Sequence, residues 1–314
     1  MQQRHLGTTD LTIAPLVFGG NVLGWTADEK TSFAVLDAFI DQGFNAIDTA
    51  DVYSAWAPGH TGGESETLLG KWFKTRPGLR DKVALFTKVG MDMGGDNKGL
   101  KPQWIEQAVE DSLRRLNTDR IDLYFSHQYD PHATHEETLG AYAKLLAAGK
   151  IRAIGASNFD APQLAASLTA AREHTLPSYQ VLQPEYNLYD RNQFEGALRE
   201  LCIKENIGVV TYYSLASGFL SGKYRSKDDL GKSVRGGKIE HYLDARGLAL
   251  LKTLDGVAEH HSAQLSEVAL AWLIAREGVT APIASATSVV QVESFGRAAR
   301  LTLSADELAA LTAA

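Results

Sequence analysis

Eight times along the chain a short apolar run ends abruptly in polar residues and gives way to a helical pattern, and this repetition narrows the fold more than any other feature. The runs are LVFGGN at 16, FNAIDTAD at 44, VALFTK at 83, IDLYFSH at 121, AIGASN at 153, YQVLQPEY at 179, IGVVTYYS at 207 and APIASAT at 281. Short runs rich in Val, Ile, Phe and Tyr read as buried strands. Strands alternating with helices imply a parallel sheet with crossover helices. Eight such units predict an α/β fold of the closed (β/α)8 TIM-barrel type, with an open doubly wound sheet as the alternative. The 314 residues suit one barrel domain over 1–314 with additions.

The helices carry their own punctuation. EKTSFAVLDAFIDQG sets Phe33, Leu36 and Ile40 on one face before a stop at Gly43, and Pro102 suits the first turn of PQWIEQAVEDSLRRL. Asp160 is placed to cap the helix carrying Pro162, Gly208 to end a helix from about Asn192, and Ser304 with Glu307 spells a capping box. An open dinucleotide-binding sheet should show G-x-G-x-x-G after its first strand, and the chain has none. GHTGGES and LSGKYR do not complete a P-loop either and read as ordinary loops. The additions are an N-terminal hairpin in HLGTTDLTIAPLVFGG and a long stretch after the seventh strand. That stretch holds a loop at 218–244 and helical patterns at about 243–261 and 265–277. A loop of that length is usually functional.

Composition excludes several classes. Apolar residues at 44% and charged residues at 22% can supply a core, so disorder and collagen-like repeats are out. No run approaches the ~18 apolar residues of a membrane span, and Met1–Asp10 lacks a signal-like apolar segment, so the expected location is the cytoplasm. The lone Cys202, in LRELCIKE, reads as a buried small hydrophobe. A net charge of −7 opposes nucleic acid and acidic membranes as partners. The loop at 218–244 runs the other way, with Lys223, Arg225, Lys227, Lys232, Arg235 and Lys238 against Asp228, Asp229, Glu240 and Asp244.

In a barrel the active site forms at the carboxyl ends of the strands. There the second strand offers Asp48 with Tyr53 in its loop, the third Lys88, the fourth His127, the fifth Ser157 and Asn158, and the sixth Gln183. Singly, each has an ordinary structural reading. Together they put an acid, an amine and an imidazole on one rim. A buried Lys88 needs a partner, and Asp48 on the neighbouring strand is the obvious one. That pair beside Tyr53 is expected to lower the phenol's pKa and make it a proton donor or acceptor for a carbonyl or alcohol oxygen, oriented by His127. Hydride transfer from a nicotinamide is the chemistry that asks for this set without a metal or a nucleophile.

GFNAIDTADVY, LFTKVG, YFSHQYD, GKIRAIGASNF, QPEYNLYDR and SGFLSGKY, in this order, closely resemble the aldo-keto reductases, particularly the bacterial members related to potassium-channel β-subunits. The resemblance spans essentially the whole chain. It implies a (β/α)8 barrel, a catalytic set Asp48, Tyr53, Lys88 and His127, and a cofactor extended across the strand ends without a Rossmann domain. It further implies that Ser157, Asn158 and Gln183 bind the nicotinamide carboxamide, that Asp48 lies near the ribose, and that Tyr212 stacks under the ring. Ser214, Leu215, Gly218, Leu220 and Lys223 match the pyrophosphate loop, with Arg235 in the same basic segment. Where the family commonly has aromatic-Ser-Pro-Leu, this chain reads Tyr212-Tyr213-Ser214-Leu215. At the adenine end the frequent pattern Gly-Ala-Ser/Arg-Asn, then Gln, then Glu-Asn reads Ser285-Ala286-Thr287-Ser288, Gln291 and Ser294-Phe295, so Ser285, Thr287 and Gln291 are the matching contacts and no arginine holds the usual clamp position. Thr287 and Ser288 with helix amides suit a 2′-phosphate, so the implied cofactor is NADPH/NADP+ ahead of NADH.

No metal is expected. His127, His132 and His135 fit no common zinc spacing, and His260-His261 reads as a helix end. Trp25, Trp56 and Tyr129 are expected around the substrate, overhung by SAWAPGHTGGES, which favours apolar or ring-bearing carbonyls. The expected activity is reversible reduction of aldehydes or ketones to alcohols, with a small-molecule carbonyl or alcohol as partner and the oligomeric state open. Two alternatives remain: an aldolase using Lys88 as Schiff-base nucleophile, and a cofactor-sensing interaction subunit with little turnover.

Overall fold

A computed structural model describes residues 1–234 and 236–314, so the expectation for Arg235 lies outside the described residues. Two short strands, β1 (Arg4–His5) and β2 (Thr12–Ile13), form the antiparallel N-terminal hairpin. Eight parallel strands follow: β3 (Val17–Gly19), β4 (Ala46–Asp48), β5 (Ala84–Val89), β6 (Ile121–Ser126), β7 (Ile151–Ser157), β8 (Val181–Gln183), β9 (Gly208–Thr211) and β10 (Ala281–Ala284). They close in sequence order into a barrel, β10 pairing with both β9 and β3.

Alternation along the strands divides two apolar layers. Phe86, Leu123, Phe125, Val181, Val210 and Ile283 fill the barrel interior together with Leu6, Leu11 and Ile13 of the hairpin. Leu85, Tyr124, Ile154, Leu182 and Val209 face the helices. The hairpin thus plugs the amino ends of the strands. Its turn residue Gly7 (φ +59°) lies so close to the start of β9 that a Cβ would stand 2.3 Å from the Gly208 nitrogen. Inside the barrel, a Cβ on Gly155 would stand 2.4 Å from the Phe125 ring, so Phe125 fills the space that the glycine leaves.

The surrounding helices are α1 (Glu29–Asp41), α2 (Glu64–Lys74), α3 (Pro102–Leu116), α4 (His135–Ala147), α5 (Ala161–Glu173), α6 (Ala197–Lys204), α7 (Ala245–His261), α8 (Leu265–Ala275), α9 (Val289–Ala298) and α10 (Ala305–Ala313). Pro102 and Pro162 sit in first turns, and Asp160 and Ser304 complete capping boxes with Gln163 and Glu307. Each such cap is worth about 1 kcal/mol. One boundary differs from the expected one: α6 begins at Ala197, after Gly196 at φ +85°, and ends at Lys204. Asn206 takes the left-handed conformation after it, and Gly208 opens β9 instead of ending the helix.

Between β9 and α7 the chain runs through short 3-10 turns, Ala216–Ser221, Lys227–Lys232, Gly236–Lys238 and Glu240–Tyr242. Cys202 is buried, and burial pushes its thiol up to about 12, which leaves it inert at neutral pH. Among the described residues no helix is long and apolar enough to cross a membrane.

Candidate active site

The interior face of each strand continues by two residues from an apolar side chain to a polar one or a glycine. Val17, Ala46, Phe86, Phe125, Val181, Val210 and Ile283 are interior; two residues on stand Gly19, Asp48, Lys88, His127, Gln183, Tyr212 and Ser285. On β7, Ala153 is interior and Ser157 stands four residues on, across Gly155. The period of two therefore aims all of them into the carboxyl mouth of the barrel.

Lys88 is 0% exposed, and its three N–H donors are all engaged. Nζ donates to Asp48 Oδ2 at 2.7 Å, to the Thr49 carbonyl at 2.7 Å and to the Tyr53 hydroxyl at 3.0 Å. Gln183 Nε2 donates to the other Asp48 oxygen at 2.9 Å, and the Tyr53 hydroxyl donates to Asp48 Oδ2 at 3.3 Å. The network continues from Ser157 Oγ to the Gln183 carbonyl at 2.9 Å and from Asn158 Nδ2 to the His127 carbonyl at 2.8 Å. Tyr212 closes it by donating to Asn158 Oδ1 at 2.7 Å. Buried charges are tolerated where pairing and hydrogen bonding are this complete.

Electrostatics correct one expectation. The Tyr53 phenol is pushed well above its ordinary value, first by burial and then by the Asp48 carboxylate that it touches. Loss of solvent and the nearby anion outweigh the ammonium, so the phenol is held protonated, the reverse of the downward tuning expected from the Lys–Asp pair. Burial also lowers Lys88, against the pull of Asp48. His127 is driven well below its ordinary value by burial and then by Lys88, so its ring is neutral. The rings of Tyr53 and His127 meet edge to face, with centroids 6.0 Å apart.

A cavity of about 850 Å³ opens over this network. Asp48, Tyr53 and His127 lie at its wall, together with Ser157, Asn158, Gln183 and Tyr212. It is bounded too by Ser214, Leu215, Gly218 and Lys223, and by Ser285, Thr287 and Gln291. Ala216, Ser217 and Gly218 have consecutive positive φ values of 48°, 55° and 101°, which curve the backbone into a concave turn beside Lys223. Concave backbone next to an ammonium suits a diphosphate, and the carboxamide and hydroxyl groups around Gln183 suit a nicotinamide, so the donor set fits an extended dinucleotide.

Three other basic residues of the loop are paired within the protein. Arg225 meets Asp255, Lys227 meets Glu240 and Lys232 meets Asp229, each at 2.7 Å. Of these three partners Asp255 alone lies outside the loop, so the positive segment read from sequence is neutralised in part, and Lys223 carries its charge to the cavity wall.

Three residues assigned to the site from sequence stand elsewhere. Leu220 is buried beneath the loop. Trp25 packs edge-on against Trp56 at 5.6 Å, leaving Trp56 on the wall. Tyr129 packs against Phe159 at 5.6 Å and against His135. Conversely, Asn21, Val52, Met91 and Gln128 line the cavity, and none was singled out from sequence. Asn21, whose Oδ1 accepts from Ser285 Oγ at 2.7 Å, ends the run LVFGGN, and Gln128 directly follows His127; position after a strand end was the available signal.

A model of the aldo/keto reductase family matches residues 15–314. The aldo-keto reductase YhdN of Bacillus subtilis is 34% identical over 301 residues, covering 92% of this chain and 84% of its own length. The oxidoreductase YrpG of the same organism is 32% identical, covering 96% and 92%. The aldo-keto reductase AMT2 of Alternaria alternata is 30% identical, covering 97% and 89%. With a closed eight-stranded barrel and a match over nearly its whole length, the chain belongs to the aldo/keto reductase family and is an NAD(P)H-dependent oxidoreductase.

Proposed function

We propose that this barrel, acting as one domain over 1–314, reduces aldehydes or ketones to alcohols with NADPH and runs in reverse as an alcohol dehydrogenase. The observation that carries the reading is the Tyr53 hydroxyl on the cavity wall, held by Lys88 at 3.0 Å. A nicotinamide held in this cavity would supply the hydride that reduces the carbonyl carbon. Tyr53 donates its proton to the carbonyl oxygen, and Lys88 stabilises the phenolate that is left. Asp48 holds Lys88, Gln183 holds Asp48, and the neutral His127 ring offers an N–H to the same substrate oxygen. A phenol held protonated is the form that this direction of reaction requires.

Ser157, Asn158 and Gln183 would hold the carboxamide, Tyr212 the ring, and Ser214, Leu215, Gly218 and Lys223 the diphosphate. NADPH is preferred because Thr287 brings a hydroxyl to the wall just before the N-terminus of α9, where helix amides favour an anion. Trp56, Val52 and Met91 give the wall near Tyr53 an apolar and aromatic character, which favours ring-bearing or apolar carbonyl substrates.

The aldolase reading is disfavoured by the Lys88 amine, which is fully buried with three acceptors and lacks the free lone pair that a nucleophile needs. Titration with NADPH and NADH, followed by a carbonyl panel read by nicotinamide absorbance, tests the proposal. Turnover with an aromatic aldehyde, higher kcat/KM with NADPH and loss of turnover in Tyr53→Phe with cofactor binding kept are expected. Full turnover in Tyr53→Phe refutes the assignment of the acid, and tight cofactor binding with no turnover on any carbonyl favours a sensing subunit.

A further inference from the structure

The C-terminal helix α10 meets the end of α7 through a convergent group of three side chains. His260 Nδ1 lies 2.8 Å and His261 Nε2 lies 2.9 Å from the same oxygen of Glu307, Oε1. The three ligand atoms all lie within 4.8 Å of one another, and among the described residues this is the one group of three His, Cys, Asp or Glu side chains to converge in this way. We propose that His260, His261 and Glu307 form a binding site for a divalent transition-metal ion of the zinc class, which ties α10 to α7.

The chemistry of the donors fits. Two imidazole nitrogens and one carboxylate oxygen are a common zinc donor set. At metal–ligand distances of about 2.0–2.2 Å, tetrahedral donors stand about 3.3 Å apart. The present spacings of 2.8 and 2.9 Å reach that by small side-chain rotations.

The carboxylate is oriented in advance. Its second oxygen, Oε2, accepts from the Ser304 backbone N–H at 2.7 Å and from Ser304 Oγ at 2.9 Å, so Oε1 is turned to the two rings. Such outer contacts fix metal ligands in place. The His260 side chain is 74% exposed and that of His261 is 22% exposed, so an ion has an entry path and its fourth position can be filled by water.

The ion would add to a seat that is otherwise modest. Leu311 is the buried side chain of α10, and Thr312 receives hydrogen bonds from Trp272 Nε1 at 3.1 Å and from Arg191 at 2.5 Å. Because metal displaces protons from its ligands, binding should weaken as pH falls.

The test is calorimetric titration of the full chain, freed of any affinity tag, with ZnCl2, alongside Co2+ titration followed by visible absorption. One equivalent of Zn2+, four-coordinate Co2+ bands and a higher Tm with Zn2+ are expected. His261→Ala and Glu307→Gln should each weaken binding at least tenfold; glutamine can still serve the capping box, so Glu307→Gln separates ligand loss from helix loss. Absence of a one-equivalent isotherm overturns the site, as does equal affinity in the His261→Ala/Glu307→Gln double variant, which would put the ion elsewhere.

Discussion

Gln183 donates Nε2–H to Oδ1 of Asp48 at 2.9 Å, so the carboxylate that grips Lys88 with one oxygen is itself gripped through the other. The two residues are far apart in the chain, on β8 and β4. Neither Lys88 nor Asp48 can leave its geometry without leaving the other buried charge unpaired.

Removing one charge of this pair should therefore cost more than removing both. Lys88→Met is expected to lose about 3–5 kcal/mol of stability, because it strands the buried Asp48. Lys88→Met/Asp48→Leu should regain a large part of that and still show no turnover. Denaturant unfolding of the three proteins, with carbonyl reduction measured in parallel, checks both halves.

Activity should depend weakly on pH through the neutral range. Tyr53 is held protonated by burial and Asp48, and His127 is held neutral by burial and Lys88. Neither changes form between about pH 6 and 7, below the ionisation of the neighbouring Asp51, so kcat/KM for reduction is expected to stay level there, with Tyr53→Phe lower by about 10²–10⁴ throughout. A bell centred near pH 7 in the wild-type profile would contradict these assignments.

Asp51 should make the protein less stable as pH rises. Its side chain is 1% exposed and neither oxygen has a hydrogen-bond partner. Burial first, and then Glu66, push its carboxyl from 3.8 up to about 8. Between those values the native state holds a proton that the unfolded chain has released, so raising the pH through that window favours unfolding. Asp51→Asn never ionises. Its Tm is expected to exceed the wild-type value by more at pH 8 than at pH 5, which thermal scans at the two pH values would measure.

Gly155 and Phe125 should behave as a coupled pair. Gly155→Ala places a methyl group against the Phe125 ring and is expected to cost about 1–3 kcal/mol by overpacking. Phe125→Leu opens the space, so the double variant should lose less than the sum of the single losses. A double-mutant cycle by urea unfolding measures that coupling.

The barrel and most of its mouth were legible in the chain itself because both rest on short periods. Eight apolar runs with helices between them specify parallel strands, and the alternation that buries Phe86 and Phe125 also turns Lys88 and His127 into the mouth. Caps such as Asp160–Gln163 and Ser304–Glu307 are equally local. What depended on distant segments was decided by packing. Trp56 reaches the cavity while Trp25 backs it, and Tyr129 turns to Phe159. The basic loop is neutralised in part by Asp255 of α7. The Tyr53 phenol is raised and not lowered, because desolvation is set by everything that closes around a residue and no stretch of neighbouring sequence records it. Period and capping act over a few residues, whereas burial and charge pairing sum over the whole fold.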